Sequence, residues 1–169
     1  MEIKKIYFDL DGVLADFDGG LKELCNFNPV PINEFRSNDY KKNMWAAIKN
    51  VDHFFTKLKI KDGAKEIFNK VYDKYKDKVE ILTGIPKPHN NILTASEDKL
   101  FWVREMLSKD IVVHLCYSNE KENYALGKEY LLIDDYQKNT TSWIKRGGSA
   151  ILCNSPKELE NELKKLELI

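Results

Sequence analysis

Phe8-Asp9-Leu10-Asp11-Gly12-Val13-Leu14-Ala15-Asp16 is the stretch on which the reading of this chain turns. Upstream of it, Ile3 to Phe8 is a short apolar, β-branched run, and Asp9-Leu10-Asp11-Gly12 breaks it, as the turn after a buried strand does. By itself Asp-Leu-Asp-Gly is more often a turn or Asx motif than a reactive site. Its company changes that. Short apolar runs recur at Val79 to Leu82, Ile111 to Leu115, Tyr130 to Ile133 and Ala150 to Leu152, and two of them also end in chemistry-bearing residues, Thr83-Gly84 and Asp134-Asp135.

Between these runs apolar residues fall at helical intervals. Ile67, Phe68, Val71, Tyr72 and Tyr75 do so within Ala64 to Tyr75, and Leu100 to Leu107 is similar. Strand and helix in alternation predict an α/β fold, a three-layer α/β/α Rossmann-like parallel sheet. Residues 20–58 interrupt the rhythm, with Trp45, Phe54 and Phe55 but no strand-like run, and read as a small helical cap inserted after the first strand. Pro29 and Pro31 punctuate the insertion and Asp62-Gly63 marks the return, so the core is expected over 1–19 and 59–169. Ser155-Pro156 reads as the cap and first residue of a last amphipathic helix, Pro156 to Leu168, with Leu159, Leu163 and Leu166 on its apolar stripe.

At 169 residues the chain suits one compact domain with a modest insertion. Lys plus Arg and Asp plus Glu both number 27, so no net field draws in a nucleic-acid polymer or an anionic membrane, and an anionic ligand has to be captured locally. Cys25, Cys116 and Cys153 are widely spaced and match neither a disulfide framework nor a zinc site; buried free thiols are expected. Met1-Glu2-Ile3-Lys4-Lys5 leads straight into the first strand without signal-peptide features, and no apolar run approaches the roughly 18 residues of a membrane span, which makes the cytoplasm the expected location. No heptad or interface pattern separates monomer from homodimer.

Ligands of an open α/β sheet sit outside the carboxyl ends of its strands. Three strand ends here carry Asp9 with Asp11, Thr83 with Gly84, and Asp134 with Asp135. Four carboxylates converging in one crevice repel unless a cation neutralises them, and an all-oxygen donor set suits a hard ion, Mg²⁺. The Gly12 turn lets Asp9 and Asp11 take different jobs, one attacking phosphorus and the other serving as acid and then base.

In that context Phe8 to Asp16 closely resembles the first motif of the haloacid dehalogenase superfamily of phosphatases. Ile81-Leu82-Thr83-Gly84 resembles its second motif and Leu131-Leu132-Ile133-Asp134-Asp135 its fourth. The resemblance implies Asp9 as a nucleophile that forms an aspartyl-phosphate, and Asp11 as general acid/base. It implies Mg²⁺ held by a carboxylate oxygen of Asp9, the backbone carbonyl of Asp11 and a carboxylate of the Asp134-Asp135 pair, either of which is open as the direct ligand. Thr83 would hydrogen-bond phosphoryl oxygens with the Gly84 amide beside it, and a lysine would offset the charge. Lys121 is the first choice for that lysine, because Ser118-Asn119-Glu120 before it reads as a helix start after the third strand; Lys99, after Ser96-Glu97-Asp98, is the second.

A narrower likeness lies in Asp9 to Phe17, in Phe54-Phe55 with Gly63-Ala64 nine residues later, and in Leu131 to Asp135. The pattern is similar to the 5'(3')-deoxyribonucleotidases, small superfamily members whose helical cap sits between the first and second motifs. It implies hydrolysis of a nucleoside monophosphate whose base lies in an aromatic pocket. Phe17 matches a pocket position of that family; Trp45 either adds a wall of the pocket or packs the cap's own small core. Phe54 and Phe55 read as core residues joining cap to body. Tyr136 and Asn119 stand where many relatives carry basic residues, and His89 reads as an exposed loop residue. Two alternatives stay open: the same chemistry on another small metabolite such as a sugar phosphate, and a non-catalytic phosphoryl-binding or sensor domain.

Overall fold

A computed structural model describes residues 2–169. Its strands β1 (Lys5–Phe8), β2 (Val79–Gly84), β3 (Val113–Cys116), β4 (Tyr130–Asp134) and β5 (Ser149–Leu152) form one parallel sheet in the order β3-β2-β1-β4-β5. Each apolar run in the sequence supplies one strand, with ends displaced by a residue or two. The runs are nearly continuous because the central strands are covered on both faces: Ile6, Phe8, Leu131 and Ile133 enter one cluster, Tyr7, Leu82 and Leu132 the other.

Helices α1 (Phe17–Cys25), α2 (Asn38–Lys49), α3 (Ala64–Tyr75), α4 (Ala95–Met106), α5 (Gln137–Lys145) and α6 (Pro156–Lys165) complete the α/β/α arrangement. The two faces are covered unequally. Ile67, Phe68 and Val71 of α3, Trp102 and Val103 of α4, and Leu159 and Leu163 of α6 fill the larger core. The other face holds a small cluster of Tyr7, Leu82, Leu132 and Ala125 closed by Trp143 of α5. The connection from β3 to β4 supplies a 3-10 segment, Ser118–Tyr124, in place of the α-helix that Ser118-Asn119-Glu120 suggests. Ser155 caps α6, its Oγ accepting from the Glu158 amide at 3.2 Å. Leu166, however, is exposed: α6 stops at Lys165, Glu167 takes a φ of 57°, and the chain turns Leu168 into the core instead.

Between β1 and α3 the chain forms α1, α2 and a 3-10 turn, Phe54–Lys57, and no strand. A short neck ties the two ends of this segment together. The Asp16 amide donates to the Lys59 carbonyl at 2.8 Å and the Lys61 amide to the Leu14 carbonyl at 2.9 Å, around an Ala15–Ile60 bridge. Leu21, Met44, Ile48, Phe54 and Phe55 are buried in the same cluster as the sheet residues, so the segment has no separate core of its own. Half-buried Trp45 packs against that shared core. Of the three free thiols only Cys153 is buried; Cys25 and Cys116 are half-buried. Among the described residues no helix is long and apolar enough to cross a membrane.

Phe68 is the hinge of the larger core, edge-on to Phe8 at 5.3 Å and stacked on Tyr72 at 5.4 Å between ring centroids. Phe68→Ala removes a wholly buried ring and is expected to cost about 3–5 kcal/mol, read as a fall in the urea midpoint at unchanged slope.

Candidate active site

Strand register builds the site. Phe8 is paired with Ile81 on one side and Ile133 on the other, so Asp9, Thr83 and Asp134 leave the sheet along one edge. The Asp9 amide continues the ladder, donating to the Ile133 carbonyl at 3.0 Å. From β1 the chain winds outward through β2 and β3, then returns to the opposite side for β4 and β5. The crevice of such a sheet opens where the winding reverses, beside β1. Past Asp9 the backbone turns sharply: the amides of Val13, Leu14 and Ala15 all point at the Leu10 carbonyl, and Gly12 takes a φ of 83°. A Cβ on Gly12 would lie 1.8 Å from Oδ2 of Asp135, so the absence of a side chain there makes room for that carboxylate.

Two buried lysines divide the acidic groups between them. The Lys121 ammonium, from the 3-10 segment after β3, donates to Asp9 Oδ1 at 2.9 Å and to Asp134 Oδ2 at 2.8 Å. The Lys99 ammonium, from α4, donates to Asp11 Oδ2 at 2.7 Å, Thr83 Oγ1 at 3.1 Å and the Gly84 carbonyl at 2.7 Å. Because Thr83 Oγ1 accepts from Lys99, its own hydrogen is free to be donated to a ligand. Asp11 is the most open of these groups, its side chain 27% exposed against 9% for Asp9.

Asp9, Asp134 and Asp135 each offer one oxygen, and the three lie within 4.8 Å of one another. Asp134 is fully engaged: Oδ1 accepts from the Tyr136 amide at 2.9 Å, and Oδ2 from Lys121 and from Asn139 Nδ2 at 3.1 Å. Asp135 Oδ1, in contrast, is buried and finds no hydrogen-bond partner among the described residues. Burial, then the charge of Asp134, push the Asp9 carboxyl up to about 7 in spite of Lys121. Burial and the neighbouring charges of Asp9 and Asp134 likewise hold Asp135 well above the usual carboxylate range. Burial would lower Lys121, yet Asp134 and Asp9 together raise it. Acids held up and a lysine held up beside one another mean that the cluster is short of positive charge. Fully ionised, four carboxylates against two ammoniums would leave a surplus of two negative charges.

The structure therefore brings Asp9, Asp11, Thr83, Gly84, Lys99, Lys121, Asp134 and Asp135 to one crevice. It engages the carbonyl of Gly84 with Lys99, where the sequence directed attention to the amide. Phe17 lies at the start of α1, stacked on Phe55 at 6.3 Å between centroids, and Phe55 lies under the Lys99 ammonium at 4.6 Å. Trp45 is not joined to this network and makes no ring contact with Phe17 among the described residues. Other participants have no signal in local sequence. Asn33, from the loop before α2, donates to the Asp135 carbonyl at 2.8 Å and accepts from the Gln137 amide at 2.8 Å. Lys61, in the neck, donates to the Gly12 carbonyl at 3.1 Å.

Similarity searches by sequence find no matching family model and no matching curated protein. By structure the chain is similar to a hydrolase from Pseudomonas syringae, with TM-score 0.55 and 15% identity over 96% of this chain and 98% of that one. It is also similar to a HAD-superfamily hydrolase from Ehrlichia chaffeensis, with TM-score 0.52 and 10% identity over 99% of each chain. A phosphonoacetaldehyde hydrolase-like protein from Oleispira antarctica gives TM-score 0.53 and 10% identity over 89% of this chain and 72% of that one. The chain shares the α/β fold of these proteins.

Gly12 and Gly147 provide a controlled comparison, because both have positive φ, 83° and 98°, but a Cβ on Gly147 meets nothing within 4 Å. Gly147→Ala is expected to cost only the backbone strain, about 1–2 kcal/mol. Gly12→Ala adds displacement of Asp135, and is expected to lose more stability than Gly147→Ala, measured by denaturation.

Proposed function

We propose that this chain is a Mg²⁺-dependent phosphomonoester hydrolase that works through an aspartyl-phosphate on Asp9 and acts on nucleoside monophosphates. One observation carries the reading: the two carboxylates of the Asp9-Leu10-Asp11 turn lie in separate environments. Asp9 shares a buried lysine and an acidic cluster, while Asp11 is held at the mouth by a different lysine. A nucleophile needs the first setting and an acid/base the second.

The residues present fit a divalent cation. Asp135 Oδ1 is a buried oxygen in need of a partner, Asp9 offers a second carboxylate, and the Asp11 carbonyl follows from the family likeness; these would hold Mg²⁺. Asp134, saturated by three donors, orients Lys121 and the loop instead. The ion supplies neutralising charge to the phosphoryl oxygens.

In the first half-reaction an Asp9 oxygen attacks phosphorus while the bond from phosphorus to the leaving oxygen breaks and Asp11 gives that oxygen a proton. Thr83 hydrogen-bonds the equatorial oxygens from the side of β2, and Lys121 beside Asp9 offsets their charge. Lys99 holds that acid in place through its bond to Asp11 Oδ2, and the same ammonium bonds Thr83. In the second half Asp11, again a carboxylate, takes a proton from water as the water oxygen attacks phosphorus and the Asp9–phosphorus bond breaks. Phosphate leaves and Asp9 is restored. Phe17, half-exposed and stacked on the Phe55 ring that lies under Lys99, offers an aromatic surface that supports a planar base as the rest of the substrate.

With Mg²⁺ present, nucleoside monophosphates are expected to outpace sugar phosphates in a panel of phosphate esters. The opposite order would transfer the assignment to sugar phosphates, and inertness toward every ester, including p-nitrophenyl phosphate, would favour a phosphoryl-binding domain. Asp9→Asn is expected to reduce turnover about 10⁴-fold or more. Asp11→Asn is expected to slow it about 10²–10⁴-fold.

The acidic cluster sets a pH dependence as well. Asp9 and Asp135 are raised when folded, so their protonated forms favour the metal-free fold at low pH, and the contribution of Asp9 fades as pH rises through about 7. Cation binding competes with those protons. The Mg²⁺-induced rise in Tm is therefore expected to be larger at about pH 8 than at about pH 5, with proton release on binding seen by calorimetry in buffers of different ionisation heat.

A further inference from the structure

Helix α4 places Lys99, and the same stretch of that helix is fastened to the inserted segment by a pair of residues that the mechanism does not use. The Asp98 carboxylate, its side chain 6% exposed, meets His53 Nδ1 at 2.8 Å and accepts from Thr94 Oγ1 at 2.6 Å. One residue on, the Lys99 ammonium lies over the Phe55 ring; one turn on, Trp102 Nε1 donates to the Leu58 carbonyl at 2.8 Å. Residues 98, 99 and 102 are neighbours on a helix surface, so one face of α4 is given over to holding the Phe54–Lys57 turn and its flanks. His53 reaches Asp98 from a φ of 52°, a left-handed conformation that a residue with a side chain rarely adopts. A buried carboxylate and a disfavoured backbone are maintained together at a point that touches no reacting group.

We infer that His53 and Asp98 are positioning residues: their contact locks the first turn of α4 against the insertion and so fixes the Lys99 ammonium between Asp11 and Thr83. The proposal rests on the reading of Asp11 as the acid that protonates the leaving oxygen. Releasing the contact lets Lys99 drift from Asp11 without touching Asp9, Lys121 or the acidic cluster. The consequence falls on proton delivery. Leaving groups that need a proton suffer, and those that depart as stable anions do not.

The test compares kcat/KM for a nucleoside monophosphate with that for p-nitrophenyl phosphate, whose leaving group departs unprotonated. His53→Gly and Asp98→Asn are expected to slow the nucleotide about tenfold or more and the aryl ester less than about twofold. His53→Gly relieves the left-handed strain, so its Tm is expected not to fall, which separates positioning from unfolding. In a Lys99→Met background neither substitution should have a further effect, because both act through that ammonium. The inference is overturned if the two substitutions slow both esters alike, leave both unchanged, or retain their full effect when Lys99 is Met. A wild-type chain inert toward both esters would strike down the reading of the site, and the positioning role with it; activity with an unaltered leaving-group dependence would remove the positioning role alone.

Discussion

A deficit of positive charge at the carboxyl edge of the sheet is the constraint to which the rest of the molecule answers. Parallel register sets Asp9 beside Asp134, and the chain has no freedom to separate them without breaking the β1–β4 ladder. Buried carboxylates in that proximity are tolerable only with cations or protons among them. Lys121 is shared between two of them and neutralises only one, so the cluster holds on to protons that isolated carboxylates would release. Gly12, which leaves room for Asp135, and Asn33, which grips the carbonyl of the same residue, hold the acidic groups where their repulsion would otherwise spread them.

The two lysines turn this constraint into a division of labour. Each arrives on a different element, and each is nearly wholly buried, so neither can swing across to the other's carboxylate without leaving its own acceptors unpaired. The inserted segment completes the arrangement from above. Asn33 touches the β4 loop, Phe55 lies against Lys99, and Phe17 is stacked on Phe55. A segment that shares the main core can hold these groups to the body more firmly than one hinged on a core of its own.

Much of this was legible in the sequence because the informative residues are contiguous with strands. Asp9, Thr83 and Asp134 each close an apolar run, and in a parallel sheet every such end comes to the same edge, whatever the strand order. The strand order itself was not legible, since the runs are alike in composition. Lys99 and Lys121 were both visible as candidates, but a search for one lysine ranks them, whereas the fold uses both. Asn33 and the His53–Asp98 pair carry no local mark, because their partners lie 102 and 45 residues away. Leu166 misled for a different reason: periodicity continues past the point where Glu167 turns the backbone, and the buried leucine is the one after the turn.

The uneven covering of the sheet bears on how the site is held. Lys99 rides on a three-turn helix bonded into the larger core through Trp102 and Val103, while Lys121 rides on a 3-10 segment over the smaller cluster. A 3-10 segment has weaker internal hydrogen bonds than an α-helix and is a poor anchor by itself. What keeps Lys121 in place is its own pair of ion contacts, with Asn139 of α5 bonded both to Asp134 and to Ser118 at the head of the segment. Lys121 is thus fixed by the charges it serves, and Lys99 by packing. Neutralising the acidic cluster, by protons or by a substitution at Asp134, loosens the first lysine and leaves the second in register, so the Lys121 side of the crevice is the softer one and the Lys99 side the rigid one.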